Sequence, residues 1–251
     1  MVSYNSAHCF ARQGALLRAC PHVIVVDNGS DDGSAQQVSR HLPQARVLAL
    51  PRNLGFGAAN NRGLAQVATP FALLLNPDCD MQPQAIAALL EAARRWPDAA
   101  IVAPQLVEAG GGAEVNYRFA LTDWPARGAG AVGECCVGFV CGAAMLWRME
   151  RFTDVGWFDE RFFLYYEDDD LCLRLKQARR PMIIAPQVRA RHRSRGSVRG
   201  QRPWRAEYLR GYHHAQSKLI FSGRHMGQAQ ALRLRWRLLL GTALSLPVRL
   251  L

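Results

Sequence analysis

The sequence predicts an α/β protein of the doubly wound type, built around a central, mostly parallel sheet. Three observations predict it. Apolar runs such as Val23-Ile24-Val25-Val26 and Phe71-Ala72-Leu73-Leu74-Leu75 stop abruptly at polar loops. Helix-compatible stretches alternate with those runs, and the residues able to do chemistry gather just after them, where open α/β sheets bind ligands. The 251 residues, 49% of them hydrophobic, suffice for one such domain with a buried core.

Val2 to Asn5 reads as the end of a first strand that is cut short, because only Met1 and Val2 precede the turn. His22 to Asp27 is a β-branched strand halted by Asn28-Gly29-Ser30, the way a buried parallel strand delivers a loop. Ser34 to Arg40 is a short helix and Arg46 to Leu50 a strand. The loop Asn53-Leu54-Gly55-Phe56-Gly57 then leads into a helix from Ala58 to Val67. Phe71 to Leu75 is the next strand and ends at Asn76-Pro77-Asp78. Pro83 to Arg95 is a helix with proline in its first turn, and Ala99 to Pro104 another strand. The small-residue apolar segment Cys136 to Arg148 suggests strand and close backbone approach. Asp154 to Phe162 is an aromatic-rich turn. Tyr165 to Arg180 opens with carboxylates and closes with basic residues, which suits a helix macrodipole. Met182 to Ala185 is a short strand. Near the end, Arg233, Arg235 and Arg237 interleave with Leu232, Leu234 and Trp236. Gly241 and Pro247 interrupt the apolar stretch that follows, so it falls short of the roughly 20 apolar residues that span a bilayer. It reads either as an interfacial segment drawn to anionic lipid or as a helix packed on the domain.

The formal charge of +11 comes almost wholly from arginine, since Lys176 and Lys218 are the only lysines, and it implies an anionic partner. Beyond Asp170 the only acidic residue is Glu207, while Arg189, Arg191, Arg193, Arg195, Arg199, Arg202, Arg205 and Arg210 crowd one stretch. The seven cysteines are odd in number and lack zinc-site spacing, so they read as reduced thiols of a cytoplasmic protein. The N-terminus has no charged start followed by an apolar run, and secretion is not expected.

Four clusters carry candidate chemistry. Asp27 and Asn28, at a strand end, can hydrogen-bond a base edge or a ribose hydroxyl; an Asx turn accounts for them equally. In Asn76-Pro77-Asp78-Cys79-Asp80, two carboxylates at alternate positions suit a hard divalent cation that also reaches phosphates, with a helix N-cap as the competing role for Asp80. Glu167-Asp168-Asp169-Asp170 follows an aromatic run, where four adjacent carboxylates repel one another unless something compensates. On a helix Glu167 and Asp170 share a face and Asp168 projects elsewhere. Asp170 and Arg174 form an i, i+4 pair, so a solvated face accounts for Asp169 and Asp170 and leaves Glu167 and Asp168 available. His192, followed by Ser194, Gly196 and Ser197 among arginines, can complete a metal site or touch a diphosphate; an ordinary surface histidine is the alternative.

Taken in order, several motifs resemble glycosyltransferase family 2, nearest its bacterial rhamnosyltransferase-like branch. They are Val26-Asp27-Asn28-Gly29-Ser30, Asn53-Leu54-Gly55-Phe56-Gly57 with Asn61 and Gly63, Leu75-Asn76-Pro77-Asp78, Cys141-Gly142-Ala143-Ala144, Phe158-Asp159-Glu160 and Glu167 through Arg174. The resemblance implies a GT-A fold and an inverting transfer of a sugar, rhamnose first, from a nucleoside-diphosphate donor to a glycan or lipid-linked glycan in cell-wall or polysaccharide synthesis. By position, Tyr4, Asp27 and Asn28 would hold base and ribose, with Asn53, Gly55, Asn61 and Asn76 completing the donor set. Asp78 would take the metal role of the family's DxD motif, with Asn76 replacing its first aspartate and Asp80 and His192 beside it, the cofactor being Mg²⁺ or Mn²⁺. Asp168 would be the general base, paired with Glu167. The resemblance divides the chain into a GT-A domain over residues 1–200 and a basic helical extension over 201–251. The domain has a nucleotide-binding half, 1–110, and an acceptor and catalytic half, 111–200. The thiols place the protein in the cytoplasm, and the interfacial reading of the tail would add peripheral contact with the anionic inner face of the membrane. Two rival readings are a nucleic-acid-binding module using Arg189 to Arg210 and Trp204, and a donor-binding relative that has lost catalysis through its shortened start. The first explains the charge but not the acidic loops, so no nucleic acid is expected.

Overall fold

The computed structural model describes residues 1–107, 111–114, 117–118, 130–193 and 203–250. Three short strands, β1 (Val2–Ser3), β2 (Ile24–Asp27) and β3 (Arg46–Ala49), form a parallel sheet in the order β1-β2-β3. Between them run α1 (Phe10–Arg18) and α2 (Ser34–His41), and α3 (Phe56–Leu64) follows. Phe10, Leu17, Val25, Val38 and Leu42 make the small core under this sheet. Helix α1 escapes a sequence reading because one of its inward positions is Gln13, which breaks an otherwise regular apolar spacing at Phe10, Gly14 and Leu17.

The larger sheet comprises β4 (Phe71–Leu75), β5 (Cys79–Asp80), β6 (Ile101–Val107), β7 (Cys135–Val137), β8 (Ala144–Arg148) and β9 (Met182–His192). Its order is β4-β8-β6-β9-β5, with β7 also on β9. Helix α4 (Pro83–Arg95) packs Leu89, Ala92 and Ala93 on one face. Helix α5 (Glu167–Gln177) packs Leu171 and Leu175 on the other, in a core with Trp147, which stacks on Phe152 at 4.1 Å.

The expectation of a mostly parallel sheet needs correction. Only β1-β2, β2-β3 and β6-β9 are parallel; β8 returns antiparallel between β4 and β6, and β5 and β7 run antiparallel to β9. A strand buried on both faces is a continuous apolar run whichever way its neighbours point, so composition could not fix direction. The segment expected as one strand, Cys136 to Arg148, is two, β7 and β8, separated by a loop. Strand β9 also runs well past the expected end at Ala185. A register shift opposite Pro104/Gln105 carries it beyond Pro186, and it continues with Val188 and Ala190 inward and Arg189 and Arg191 outward.

Strand β1 reaches only Val26 and Asp27 of β2, so the two sheets are not joined edge to edge. An apolar cavity of about 400 Å³ lies between them, lined by Val2, Ile24, Leu64, Val67 and Leu73 among others. None of the candidate site carboxylates lines it.

The chain ends in two long helices, α6 (Pro203–His225) and α7 (Gln228–Leu250), packed on each other around Gly227, whose φ is +92°. Among the described residues, no helix is long and apolar enough to cross a membrane. None of the seven cysteines is in a disulfide.

Candidate active site

The site is assembled at the carboxyl ends of β2 and β4. Asp27 closes β2 as a buried residue whose Oδ1 accepts the Ser30 hydroxyl at 2.5 Å. Next to it, Asn28 spends its side chain on the neighbouring loop. Its Nδ2 donates to Asn53 Oδ1 at 2.9 Å and to the Gly55 carbonyl at 3.2 Å, while its Oδ1 accepts Leu54 N–H at 2.8 Å. Asn53 and Asn28 therefore brace the loop that enters α3. Gly55 is required there twice over: its φ is +90°, and a side chain would run into the backbone of Phe163, whose carbonyl accepts Phe56 N–H at 2.9 Å. Asn61 is spent in the same way, donating to the Phe158 carbonyl at 2.9 Å and to Glu160 at 3.1 Å and accepting Phe158 N–H at 3.2 Å. Tyr4, at the end of β1, and Asn76, at the end of β4, are both partly buried.

The Asp78 loop is held from below by a residue the sequence reading missed. Gln13 of α1, 1% exposed, points its amide at the Pro77 carbonyl at 3.0 Å, the Cys79 carbonyl at 2.9 Å and Asp80 Oδ1 at 3.2 Å. Arg193 pairs with the other oxygen of Asp80 at 3.1 Å, so both oxygens of that carboxylate are engaged. Asp78 itself is 2% exposed. Pairing of β5 with β9 sets Cys79 opposite His192, which brings His192 Nε2 to 3.9 Å from Asp78 Oδ1. On its other side His192 Nδ1 lies 3.7 Å from Glu114, a second residue the sequence did not flag. Burial works against the charged imidazole, but Glu114 and Asp78 outweigh it and raise the His192 pKa above its ordinary value.

The four carboxylates opening α5 are sorted by the helix into different surroundings. Glu167 is buried, and among the described residues nothing hydrogen-bonds its Oε2. Burial first, and then the charge of Asp168, pushes it well above the usual carboxylate range. Asp168 is only partly buried and accepts Gly142 N–H at 3.2 Å and Asp169 N–H at 3.0 Å. Burial and the neighbouring Asp169 push it up to about 7 against those bonds. The solvated-face reading fails for the other two. Asp169 pairs with Arg118, which is itself buried and lies 4.0 Å over the Phe139 ring. Asp170 is 0% exposed and bonds Arg174 Nε at 2.8 Å. That i, i+4 pair is a buried strut, because Arg174 goes on to donate to the Val155 carbonyl at 2.8 Å and the Trp157 carbonyl at 2.5 Å.

Two backbone residues join the distant acidic stretches. Gly142 N–H holds Asp168, and the next carbonyl, of Ala143, accepts Asn76 N–H at 2.9 Å. Contacts thus link Asn28 through Gly55 to the Phe163 backbone, from which the chain itself leads on to Asp168, and link Asp168 through Gly142 and Ala143 to the Asp78 loop and His192. The basic loop expected to cradle a diphosphate, with Ser194, Arg195, Gly196, Ser197, Arg199 and Arg202, lies outside the described residues. Among the described residues, no group of three or more His, Cys, Asp or Glu side chains converges closely enough to hold a metal by itself. One buried carboxylate beside a histidine still fits an ion that arrives with phosphate oxygens, since Mg²⁺ usually takes only one or two protein carboxylates.

Comparison with known proteins points the same way. The profile of glycosyl transferase family 2 matches residues 8–150. The chain is 32% identical over 247 residues to N-acetylglucosaminyl-diphospho-decaprenol L-rhamnosyltransferase of Mycobacterium tuberculosis (strain ATCC 25618 / H37Rv), covering 86% of this chain and 79% of that protein. It is 33% identical over 211 residues to the pre-mycofactocin glycosyltransferase of the same strain, covering 78% of this chain and 42% of that one. Among solved structures, S. aureus TarS 1-349 in complex with UDP superposes with a TM-score of 0.54 at 16% identity, over 76% of this chain and 58% of that one. GalNAc-T7 with UDP, GalNAc and Mn²⁺ gives 0.58 at 13% identity, over 86% and 47%. These two likenesses establish the fold.

Proposed function

This chain belongs to glycosyl transferase family 2 and is a glycosyltransferase; from that premise we propose that it moves a sugar, rhamnose first among candidates, from a nucleoside diphosphate to a glycan or lipid-linked glycan with inversion. The observation that carries the reading is the Gly142-Ala143 segment, which ties the Asp168 carboxylate to the Asp78 loop. Asp168 suits the base: it is accessible, oriented by two backbone N–H groups, and tuned toward neutrality, where proton acceptance is most effective. It takes the proton of the acceptor hydroxyl while the new bond to the anomeric carbon forms, and the bond to the diphosphate breaks with its electron pair leaving on the phosphate. Glu167, buried beside it and pushed well above the usual carboxylate range, is the less ready of the two to take up a proton from the acceptor in its ionised form, and the reading gives that role to Asp168. Asp78 and His192 are the residues that would hold Mg²⁺ or Mn²⁺, which when bound with donor stabilises charge on the departing diphosphate. Asp27 with Tyr4 and Asn76 line the donor side, while Asn28, Asn53, Gly55 and Asn61 build the loops around it. In this reading residues 1–200 hold the donor and acceptor halves.

The lipid-linked option draws support from α7. Over residues 228–243 of α7, Ala231, Leu234 and Leu238 are the partly buried positions, whereas Leu232, Trp236, Leu239 and Leu240 are more than half exposed, Trp236 at 58%. At 100° per residue those four fall on one stripe opposite the docked face, flanked by Arg233 and Arg237 on one side and Arg235 on the other. An apolar stripe bordered by arginine is the geometry of a helix lying in an anionic lipid surface, and it agrees with a cytoplasmic protein at the inner membrane face.

The test is a thermal-shift screen of nucleoside-diphosphate sugars with Mg²⁺ or Mn²⁺, followed by NMR of the product's anomeric configuration. Stabilisation that grows with ligand concentration over Kd, and an inverted product, are expected. A retained configuration, or no sugar nucleotide that stabilises the protein, overturns the proposal.

A further inference from the structure

We propose that helix α6, beyond the stretch matched by the family profile, sets the position of the base, with His225 and Asp170 acting as positioning residues for Asp168. The inference rests on the reading of Asp168 given above and adds to it a part of the chain expected from the sequence to be a basic helical extension.

Asp170 stands two residues after Asp168 on α5 and is wholly withdrawn from water. A carboxylate in that situation must be matched by cations and hydrogen bonds. One match, Arg174, belongs to its own helix; the others come from the last turn of α6, where His225 Nε2 donates at 2.8 Å and Arg224 Nε lies at 3.3 Å. The His225 ring is held in turn by Phe221, 4.7 Å away. The rotation of α5 about its axis, and with it the direction in which Asp168 projects, is therefore referenced to α6.

A second, independent observation concerns the backbone just before the carboxylates. Tyr165 and Tyr166 have φ of +69° and +67°, and Tyr166 is the residue from which α5 starts. Two successive non-glycine residues in the left-handed region are strained and persist only where their surroundings hold them. Here α6 supplies that hold. The His214 ring lies 5.5 Å from Tyr165 and 5.4 Å from Tyr166, Phe221 lies 5.4 Å from Tyr166, and His213 stacks on Phe163 at 4.2 Å. Ser217, itself buried, donates its hydroxyl to the Leu164 carbonyl at 2.9 Å. The loop carries Phe163 at its other end against Gly55, so one helix braces the passage from the donor loop to the base.

The experiment compares His225→Leu, His225→Gln and Tyr166→Gly in the full chain, reading kcat, its pH profile, and donor binding by calorimetry with Mn²⁺. His225→Leu is expected to lower kcat by about tenfold or more with donor affinity within about threefold, and to move the Asp168 limb of the pH profile, because small displacements of a reacting group are costly. His225→Gln, which keeps an N–H donor, should recover much of the loss. Tyr166→Gly adopts the same φ without strain, which offsets part of the ring packing it loses, so it should remain folded with a lower melting temperature while kcat falls; this arm decides the matter if His225→Leu does not fold. An unchanged kcat and pH profile in a folded His225→Leu or Tyr166→Gly variant overturns the inference. Asp168→Asn is assayed beside them: should it turn over normally, it is the base assignment that fails, and that arm shows it separately.

Discussion

Replacing Asp168 by asparagine should make the protein more stable while stopping transfer, and the stability gain should depend on pH. Burial and Asp169 raise this carboxyl from its ordinary 3.8 to about 7. Below pH 3.8 it is protonated in both folded and unfolded chains and contributes no difference. As pH rises, the unfolded chain gives up its proton first while the folded protein retains it up to about 7, so the parent loses stability across that interval and stays level above it. A shift of about three units at about 1.4 kcal/mol each sets a ceiling near 4 kcal/mol. Asp168 is only partly buried, so solvent screening cuts this to about 1–3 kcal/mol. Asparagine keeps an oxygen for the Gly142 N–H and has no charge to bury. Urea denaturation of both proteins at pH 5 and pH 8 reads the part of that interval from pH 5 to about 7: the advantage of the variant should widen by about 0.5–2 kcal/mol at the higher pH. A constant difference at the two pH values refutes the reasoning. In the parent, kcat should rise with pH and level off above about 7 as the base loses its proton. The variant should bind donor within a few-fold of the parent yet fail to turn over.

Three further outcomes are expected. Asp78→Ala should weaken Mn²⁺-dependent donor binding by about tenfold or more, since it removes the buried carboxylate proposed to hold the metal; an unchanged calorimetric isotherm with and without Mn²⁺ counts against the site. Gly55→Ala should destabilise the fold by about 2 kcal/mol or more, because it meets both a positive φ and the Phe163 backbone, as urea denaturation will show. Changing Trp236, Leu239 and Leu240 together to serine should abolish flotation with anionic vesicles and leave the melting temperature within a few degrees, because those side chains are exposed; equal flotation removes the membrane claim.

The motifs that announce the chemistry were legible because they are local. A β-branched run that stops at Asp27-Asn28-Gly29, or an apolar run that stops at Asn76-Pro77-Asp78, signals a strand end whatever lies elsewhere. Pro83 at the head of α4 marked its start for the same reason. What the side chains do at those ends was less legible. Asn28, Asn53 and Asn61 belong to the motifs expected to hold a donor, yet their amides are occupied in holding loops together, a division of labour set by partners 25 to 97 residues away. Gln13 and Glu114 gave no signal, since a glutamine in a short helix and a glutamate in a loop look ordinary until the chain brings Pro77 and His192 beside them.

The sequence by itself determined the α/β class, the order of most elements and the places where carboxylates cluster, because hydrophobic periodicity and turn chemistry act over a few residues. Only the tertiary structure decided strand direction in the larger sheet, the separate fates of Glu167, Asp168, Asp169 and Asp170, and the docking of α6 on the loop that precedes them. Each of those depends on which surfaces meet across long separations. Four adjacent carboxylates are chemically alike in the chain, and it is burial, a glycine N–H, Arg118 and His225 that make them different.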